Sequence, residues 1–281
     1  MTTASTRELV AAAVASGGAV PAFNVITLEH AEGVVAGLSR AGSSGILQFS
    51  ERALVFHGEP VAPILAACAR LVAAADVPIA LHLDHIQDPE LAARLIDSAH
   101  EFDVSSIMVD FAHLERDANV RSTRELVAVA HQGGLFVEAE LGEIGGKDGA
   151  HAHGARTDPA DAAGFVGETG VDALAVAIGS SHAMTSRTAS LDLELLARLT
   201  ASVPVPLVLH GSSGVSDAEL AAAIAAGIRK VNVGTALTVA FTAAIRGVLE
   251  ANPSITDPRE YLREARQAVA DTVVEFCEVV R

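Results

Sequence analysis

The sequence predicts an α/β protein with the (β/α)8, or TIM-barrel, fold. Short β-rich runs alternate with stretches rich in Ala, Leu, Glu and Arg at a spacing of roughly 30 residues, which is the pattern of a barrel of parallel strands. Of the 281 residues, 50% are hydrophobic, which is enough for a large core. No GxGxxG motif follows the first run, and its absence weakens the competing open, doubly wound sheet.

Eight of these runs predict the strands. Each is short and apolar, which is typical of a buried parallel strand. They occupy residues 20–25, 44–50, 77–85, 105–111, 134–142, 172–179, 205–211 and 229–234. Amphipathic patterns between them, such as DPELAARLIDSAHEF, predict the connecting helices. Since no linker interrupts the alternation, we expect residues 1–281 to form one catalytic domain, with extra C-terminal helices over residues 251–281 packed on the barrel.

Composition and charge narrow the classes of partner. The formal net charge of −16 at pH 7 argues against nucleic acid and anionic membranes. No apolar stretch reaches the ~18 residues of a membrane span. The N-terminal residues also lack a basic segment followed by an apolar signal core, so we expect a cytoplasmic protein. Cys68 and Cys277 have apolar neighbours in helix-like segments, and we expect both thiols to be buried and reduced.

Three histidines lie at the ends of three different apolar runs. His85 ends PIALHLDH, His182 follows LAVAIGSS, and His210 lies in VPLVLHGSSG. The carboxyl ends of the strands of a barrel surround one shared mouth, so imidazoles far apart in the sequence can meet there around one metal ion. The sequence therefore predicts a metal site with these three ligands.

The strand ends are polar at nearly every position, although the strands are otherwise apolar. Besides the histidines, these polar or small residues are Asn24, Gln48, Ser50, Asp84, Asp110, Glu140, Gly211, Ser212, Ser213, Asn232 and Thr235. His82 lies two residues before Asp84 and so one layer deeper, where a hydrogen bond in the core is the expected role. Glu138 shares a strand face with Glu140, and two buried acids need partners or a metal.

The segment HGSSGVSDAEL predicts an anion site. Gly211 and Gly214 allow the backbone to approach an anion, the serines between them add hydroxyls, and a helix begins just after. Phosphate bound between the loops after strands seven and eight recurs in barrels, and VNVGTAL supplies small residues at the second of these loops. Ser216 and Glu219 also fit an ordinary capping box, which is compatible with the phosphate site.

Six motifs occur in order across almost the whole chain, namely PAFNV, LHLDH, VEAELG, AVAIGSSH, LVLHGSSG and KVNVGTAL. Together they closely resemble the class II, zinc-dependent ketose-bisphosphate aldolases, which include fructose- and tagatose-bisphosphate aldolases. The resemblance implies a lyase of carbohydrate metabolism, as in glycolysis. Its substrate would be a phosphorylated ketose, such as fructose 1,6-bisphosphate or tagatose 1,6-bisphosphate, that splits into dihydroxyacetone phosphate and an aldehyde. It also implies a homodimer or homotetramer.

The resemblance also implies roles for the strand-end residues. Zn²⁺, or another divalent ion, is implied on His85, His182 and His210, while Asp110 and Glu140 match positions that hold a displaced or second metal. Asp84 is implied as the general acid/base at the carbonyl that is made or broken. Substrate contacts are implied for Asn24, Ser50, Ala183, Gly211, Ser212, Ser213, Asn232, Val233, Gly234 and Thr235. The resemblance leaves open a monovalent cation near the phosphate.

The positions of the lysines favour a metal ion over a lysine Schiff base, independently of the resemblance. Aldol cleavage needs an electron sink beside the bond that breaks, and a metal ion or a lysine Schiff base can supply it. The chain has two lysines: Lys147 lies in a loop, and Lys230 lies two residues before Asn232, near the wrong end of strand eight. Neither ends a predicted strand.

Two departures from the family bear on the substrate. The family has Gly directly after the second zinc histidine, whereas this chain has Ala183. The family's loop after strand five carries a proton-transferring glutamate, whereas this chain has GGKDG around Lys147. We expect that loop to be mobile, Asp148 or Glu143 to replace the glutamate, and Lys147 to favour an aldehyde with negative charge. Activity on fructose 1,6-bisphosphate should then be low relative to some other phosphorylated ketose.

Two other functions remain open from the sequence. A metal-dependent hydrolase on a barrel predicts a His-x-His motif on strand one, where this chain offers only Asn24. A metal-binding but non-catalytic partner subunit is the second alternative. The presence of Asp84 argues against that subunit, and the loop around Lys147 argues weakly for it.

Overall fold

The predicted barrel is confirmed. The computed structural model describes residues 4–58, 62–141 and 156–280. Within them eight parallel strands follow one another around a closed sheet, and β1 pairs with β8. The strands are Val20–Asn24 (β1), Gly45–Ser50 (β2), Ile79–Ile86 (β3), Val104–Val109 (β4), Phe136–Glu140 (β5), Ala173–Ala175 (β6), Leu207–Leu209 (β7) and Ile228–Val233 (β8).

The sixth strand is shorter than the predicted run over residues 172–179. Beyond β6, the N–H of Ala177 donates to Oγ1 of Thr157, and its carbonyl accepts from the N–H of Thr157. Because these backbone groups bond to a loop residue instead of a neighbouring strand, the sheet ladder ends early although the residues stay buried.

Helices alternate with the strands around the outside of the barrel. They are Thr6–Ser16 (α1), Leu28–Ala41 (α2), Glu51–His57 (α3), Ala62–Ala73 (α4), Pro89–Ser98 (α5), Arg116–Gln132 (α6), Pro159–Thr169 (α7), Leu193–Ser202 (α8), Asp217–Ala225 (α9), Thr235–Ala251 (α10) and Pro258–Val280 (α11). Asp88 and Asp158 cap α5 and α7, and each precedes a proline at the first helical position. In the described residues no single helix is long and apolar enough to cross a membrane.

Helix α1 closes one end of the barrel. Leu9 and Val10 belong to a buried cluster with inward-facing strand residues such as Ala22 and Met108. Beside them the hydroxyls of Thr6 and Ser106 are hydrogen-bonded at 2.6 Å. The amino-terminal end of the barrel is therefore filled, and the polar strand ends lie at the opposite, carboxyl end.

The sequence predicted extra C-terminal helices packed on the barrel, and α11 packs there mainly on α2 and α10. Two glycines of α2 permit the close approach of the helices, since a Cβ at Gly37 would lie 2.6 Å from Cβ of Val273 and one at Gly33 would lie 2.8 Å from Cβ of Val269. Cys277 on α11 and Cys68 on α4 are both buried and free of disulfides, as predicted.

The close contact between α2 and α11 predicts that a methyl group added at Gly37 destabilises the protein. Gly37→Ala should lower the free energy of unfolding by about 1–3 kcal/mol, the usual cost of overpacking. The matched control is Gly247→Ala in the exposed part of α10, where a Cβ would meet nothing within 4 Å. This control should be neutral or stabilising, by up to about 1 kcal/mol, because Ala favours the helix. Urea unfolding of both variants measures these changes. Equal free energies of unfolding for the two variants would contradict the close packing at Gly37.

Candidate active site

A bend at the end of β3 turns two consecutive side chains toward the mouth. Neighbouring residues of a strand normally point to opposite faces. His85 has a φ of 49°, and the register against β4 shifts between Leu83 and Ile86. A bulge of this kind re-aims a side chain. As a result, both Asp84 and His85 line the same cavity.

The three predicted histidines meet. Their ring centroids are 5.0 Å apart for His85 and His182, 4.7 Å for His85 and His210, and 5.5 Å for His182 and His210. Glu140 joins them, and one ligand atom from each of the four residues lies within 4.8 Å of the others. Three imidazoles and a carboxylate are a donor set that zinc accepts.

Two carboxylates orient the imidazoles of this cluster. Nδ1 of His85 donates to Oδ2 of Asp110 at 2.9 Å, and Nε2 of His210 donates to Oε1 of Glu138 at 2.9 Å. The lone pairs therefore lie on Nε2 of His85 and Nδ1 of His210. Nδ1 of His210 is buried and has no hydrogen-bond partner among the described residues. Burial also lowers the pKa of His210, which keeps the imidazole neutral and able to bind a metal.

Asp84 is buried beside this cluster and is held by two amides. Its Oδ2 accepts from Nδ2 of Asn24 at 2.8 Å, and its Oδ1 accepts from Nδ2 of Asn232 at 3.3 Å. Burial acts to raise the pKa of this carboxyl, but the basic groups around it, first His85 and then His210 and Lys230, outweigh burial and lower the pKa. Asp84 is therefore an ionised base at neutral pH.

Two loops with glycines form another wall of the site. Gly211 has a φ of 68°, and a Cβ there would lie 2.5 Å from the carbonyl oxygen of Ser181, so the turn requires glycine. Helix α10 follows Gly234 without a side-chain cap at its N-cap position, and the N–H of Ala236 donates to Oγ of Ser213 at 3.0 Å. The N-terminus of this long helix presents N–H groups to an anion.

A cavity of about 630 Å³ joins these parts. It brings together most of the residues that the sequence predicted for the site. Those that line it are Asn24, Ser50, Asp84, His85, His182, Ala183, Gly211, Ser213, Asn232, Gly234 and Thr235. Such a volume suits a small-molecule ligand.

The other predicted site residues lie behind the cavity wall. His210 and Glu140 belong to the cluster with His85 and His182, and Asp110 is hydrogen-bonded to His85. The hydroxyl of Ser212 donates to the carbonyl of Asn232 at 2.6 Å, and Val233 belongs to the hydrophobic core. The predicted loop residues around Lys147, together with Glu143 and Asp148, lie outside the described residues.

Ala183 has a φ of 59°, in the left-handed region that favours glycine. The family's glycine at this position therefore meets a backbone requirement that persists in this chain. His82 makes the predicted core hydrogen bond, since its Nδ1 lies 2.8 Å from Oγ of Ser106.

Several residues at the mouth were not indicated by the sequence. Helix α3 begins directly after Ser50, and Arg52 and Phe56 on it line the cavity with Gln87. Oε2 of Glu51 accepts from the backbone N–H of Gln87 at 2.7 Å, which ties this helix to the loop after β3. A helix that opens straight from a polar strand end is the signal that would have placed these residues at the mouth.

Lys230 is the partner of the buried Glu138. Its Nζ donates to Oε2 of Glu138 at 2.8 Å, and both side chains are fully buried. Burial acts to raise the pKa of Glu138, but the charge of Lys230 and the hydrogen bond from His210 lower it to about 2. The position of Lys230 in the sequence did not indicate this pairing.

Comparison with known proteins decides between the functions. The sequence profile of the class II fructose-bisphosphate aldolases matches residues 4–281. The chain belongs to this family. As a class II aldolase it is a lyase, so the alternatives of a hydrolase and of a non-catalytic subunit are not supported.

Solved structures of other proteins are similar to this aldolase. The YdjI aldolase from Escherichia coli K12 is 32% identical, with a TM-score of 0.83, over 100% of this chain and 97% of that one. A putative fructose-1,6-biphosphate aldolase from Coccidioides immitis is also 32% identical, with a TM-score of 0.88, over 98% and 95%. Fructose-bisphosphate aldolase from Campylobacter jejuni, at 23% identity and a TM-score of 0.83 over 99% and 95%, shares the fold.

Proposed function

We propose that this aldolase uses Zn²⁺ to cleave or form a phosphorylated ketose, with dihydroxyacetone phosphate as one half and an aldehyde as the other. The supporting observation is one group of side chains and loops at the mouth of the barrel. An ionised Asp84 lies beside three imidazoles and Glu140, in a cavity whose loops after β7 and β8 suit a phosphate. These parts come from the ends of five strands, β3, β5, β6, β7 and β8.

Phosphate binding would orient the substrate. The backbone around Gly211 and Ser213, and the first N–H groups of α10 at Gly234 and Thr235, would hold the phosphate. The carbonyl and the neighbouring hydroxyl of the dihydroxyacetone half would then face His85, His182 and the rest of the cluster. Zn²⁺ bound there would withdraw electron density from that carbonyl as a Lewis acid and so serve as the electron sink.

Asp84 would move the proton. In cleavage its carboxylate takes the proton from the hydroxyl that becomes the aldehyde carbonyl, while the electrons of the breaking C–C bond pass to the dihydroxyacetone half. In condensation it returns the proton to the new hydroxyl. Asn24 and Asn232 hold the carboxylate in place, and Nε2 of Gln48 donates to Oδ1 of Asn24 at 2.8 Å, which fixes the orientation of that amide.

The aldehyde half would carry a negative charge. Apart from the histidines, Arg52 is the one basic residue among the described residues that line the cavity. It lies on α3, which begins directly after Ser50. A guanidinium at this point favours a phosphate or carboxylate on the aldehyde, as the charge of Lys147 also suggests.

We also propose that residues 1–281 form a single catalytic domain, that the protein is cytoplasmic, and that it assembles as a homodimer or homotetramer. The first proposal rests on the uninterrupted alternation of strands and helices. The others rest on the sequence pattern and on the resemblance to the family.

Zinc-dependent condensation with a panel of aldehydes tests the proposed function. Dihydroxyacetone phosphate should condense with at least one phosphorylated or acidic aldehyde, and kcat/KM for cleaving fructose 1,6-bisphosphate should be lower than for the best ketose found. A chelator should abolish the reaction, and added Zn²⁺ should restore it. Full turnover in metal-free protein would contradict the metal chemistry. Fructose 1,6-bisphosphate as the best substrate would contradict only the substrate assignment.

Replacement of Asp84 tests the proton transfer. Asp84→Ala should retain bound zinc but lose about 10²–10⁴-fold in kcat, the usual contribution of general acid–base catalysis. Asp97→Ala, an exposed change on α5, is the matched control and should leave kcat unaltered. Steady-state kinetics and metal analysis on the same samples check the result. Normal turnover by Asp84→Ala would show that another group carries the proton.

Replacement of Arg52 tests the charge of the aldehyde. Arg52→Met should raise KM for aldehydes with a phosphate or carboxylate by about 2- to 5-fold, the range for a solvent-exposed ion pair. KM for uncharged aldehydes should stay the same. Arg246→Met, an exposed change on α10 away from the cavity, is the control. An equal change of KM for charged and uncharged aldehydes would refute this role of Arg52.

A further inference from the structure

A buried ion pair lies beneath the candidate metal site, out of reach of the cavity. Lys230 on β8 and Glu138 on β5 face each other across the barrel, and neither lines the cavity. Nζ of Lys230 donates to Oε2 of Glu138 and to Oδ1 of Asn232, each at 2.8 Å. Burying two charges costs several kcal/mol per ion before their attraction is counted, so the pair needs a reason beyond filling space.

One arm of this network reaches a metal-ligand histidine. Oε1 of Glu138 accepts from Nε2 of His210 at 2.9 Å, while its other oxygen is held by Lys230. A carboxylate held by an ammonium group only accepts hydrogen bonds, so Nε2 must carry the hydrogen. Nδ1 of His210 is then left with the lone pair, 3.9 Å from Oε2 of Glu140. The ion pair thus determines which nitrogen of His210 faces the metal cluster.

The other arm reaches the proposed base. Because Oδ1 of Asn232 accepts from Lys230, its Nδ2 must point the opposite way, and it donates to Oδ1 of Asp84 at 3.3 Å. The same Nδ2 lies 3.1 Å from Nε2 of His210. Because the hydrogen of Nε2 is directed at Glu138, this is a close contact between two donors and not a second hydrogen bond. Without Lys230 the amide could rotate and place its oxygen against the carboxylate of Asp84, where two acceptors repel.

The spacing along the strands explains how one lysine serves both arms. Residues two apart on a strand share a face, so Glu138 lies one layer below Glu140, and Lys230 lies one layer below Asn232. We propose that Lys230 is a positioning residue of this aldolase: through Glu138 it orients His210 toward the metal, and through Asn232 it orients Asp84. This inference rests on the proposed function.

The test removes the ion pair without leaving a lone buried charge. Lys230→Met combined with Glu138→Gln should fold, because replacing both members of a buried pair is often neutral. Its affinity for Zn²⁺, measured by competition with a chromophoric chelator, should fall about 10- to 100-fold, as when other partners of metal-bound histidines are lost. With saturating Zn²⁺, kcat should fall, while KM for the phosphorylated ketose should change less than about twofold because the phosphate loops are untouched.

Two further variants keep the test decisive. Glu138→Gln alone keeps Lys230 bonded to Asn232 but leaves its charge without a carboxylate, so it should weaken zinc binding with a smaller loss of kcat and lower the stability more than the double variant does. Thr6→Val removes a buried hydrogen bond at the closed end of the barrel and should lower stability without changing zinc affinity. This control separates positioning from a general loss of stability.

The outcomes distinguish this inference from the proposed function. Wild-type protein that binds no Zn²⁺ and shows no activity would overturn both. Wild-type protein that binds Zn²⁺ and is active, with variants that match its zinc affinity and kcat, would overturn only the positioning role. A loss of zinc affinity in Thr6→Val equal to that in the double variant would likewise reduce the ion pair to a structural element.

Discussion

Four carboxylates buried in and beneath the candidate metal site set the electrostatic constraint on which the site depends. Asp84, Asp110, Glu138 and Glu140 are each at most 2% exposed. Lys230 is the one fully buried Lys or Arg side chain among the described residues. Asp84 and Glu138 are ionised, and with the two further acids beside the histidines they outnumber the one buried ammonium group, so burying these acids is costly. A divalent cation at the histidine cluster would offset that cost, so the acids that are costly to bury favour a cation there.

The barrel supplies the geometry that this electrostatic arrangement needs. Closed parallel strands bring residues 148 positions apart, such as Asp84 and Asn232, into hydrogen-bond contact. The layers of side chains inside the barrel have different roles. The deeper layer, with Glu138 and Lys230, is fixed by an ion pair, and the layer above it carries the groups proposed to meet metal and substrate. A bulge at His85 lets one strand contribute two groups to that upper layer.

The fold was predictable because strand and helix patterns alternate regularly along the sequence. Most of the site was predictable because the polar ends of parallel strands lie at the same end of the barrel. The three histidines followed from that rule, whereas Asp84 beside His85 also required a bend at the end of β3. The partner of Glu138 did not follow, because Lys230 lies at the deeper end of its strand, where the rule about strand ends does not say which side chains meet. Arg52 was not predicted either, although its helix begins directly after the polar end of β2. Strand β6 is short because the backbone of Ala177 is hydrogen-bonded to Thr157, a contact that no local sequence pattern indicates.

The central claim is that one divalent ion joins His85, His182 and His210 at the mouth of the barrel. Anomalous diffraction at the zinc edge, from crystals grown with Zn²⁺, tests it most directly. The account predicts a single strong peak at about 2.0–2.1 Å from a ring nitrogen of each histidine, with Nδ1 as the ligand atom of His210. A crystal that shows the three imidazoles turned apart, or zinc bound elsewhere with this cluster empty, would contradict it.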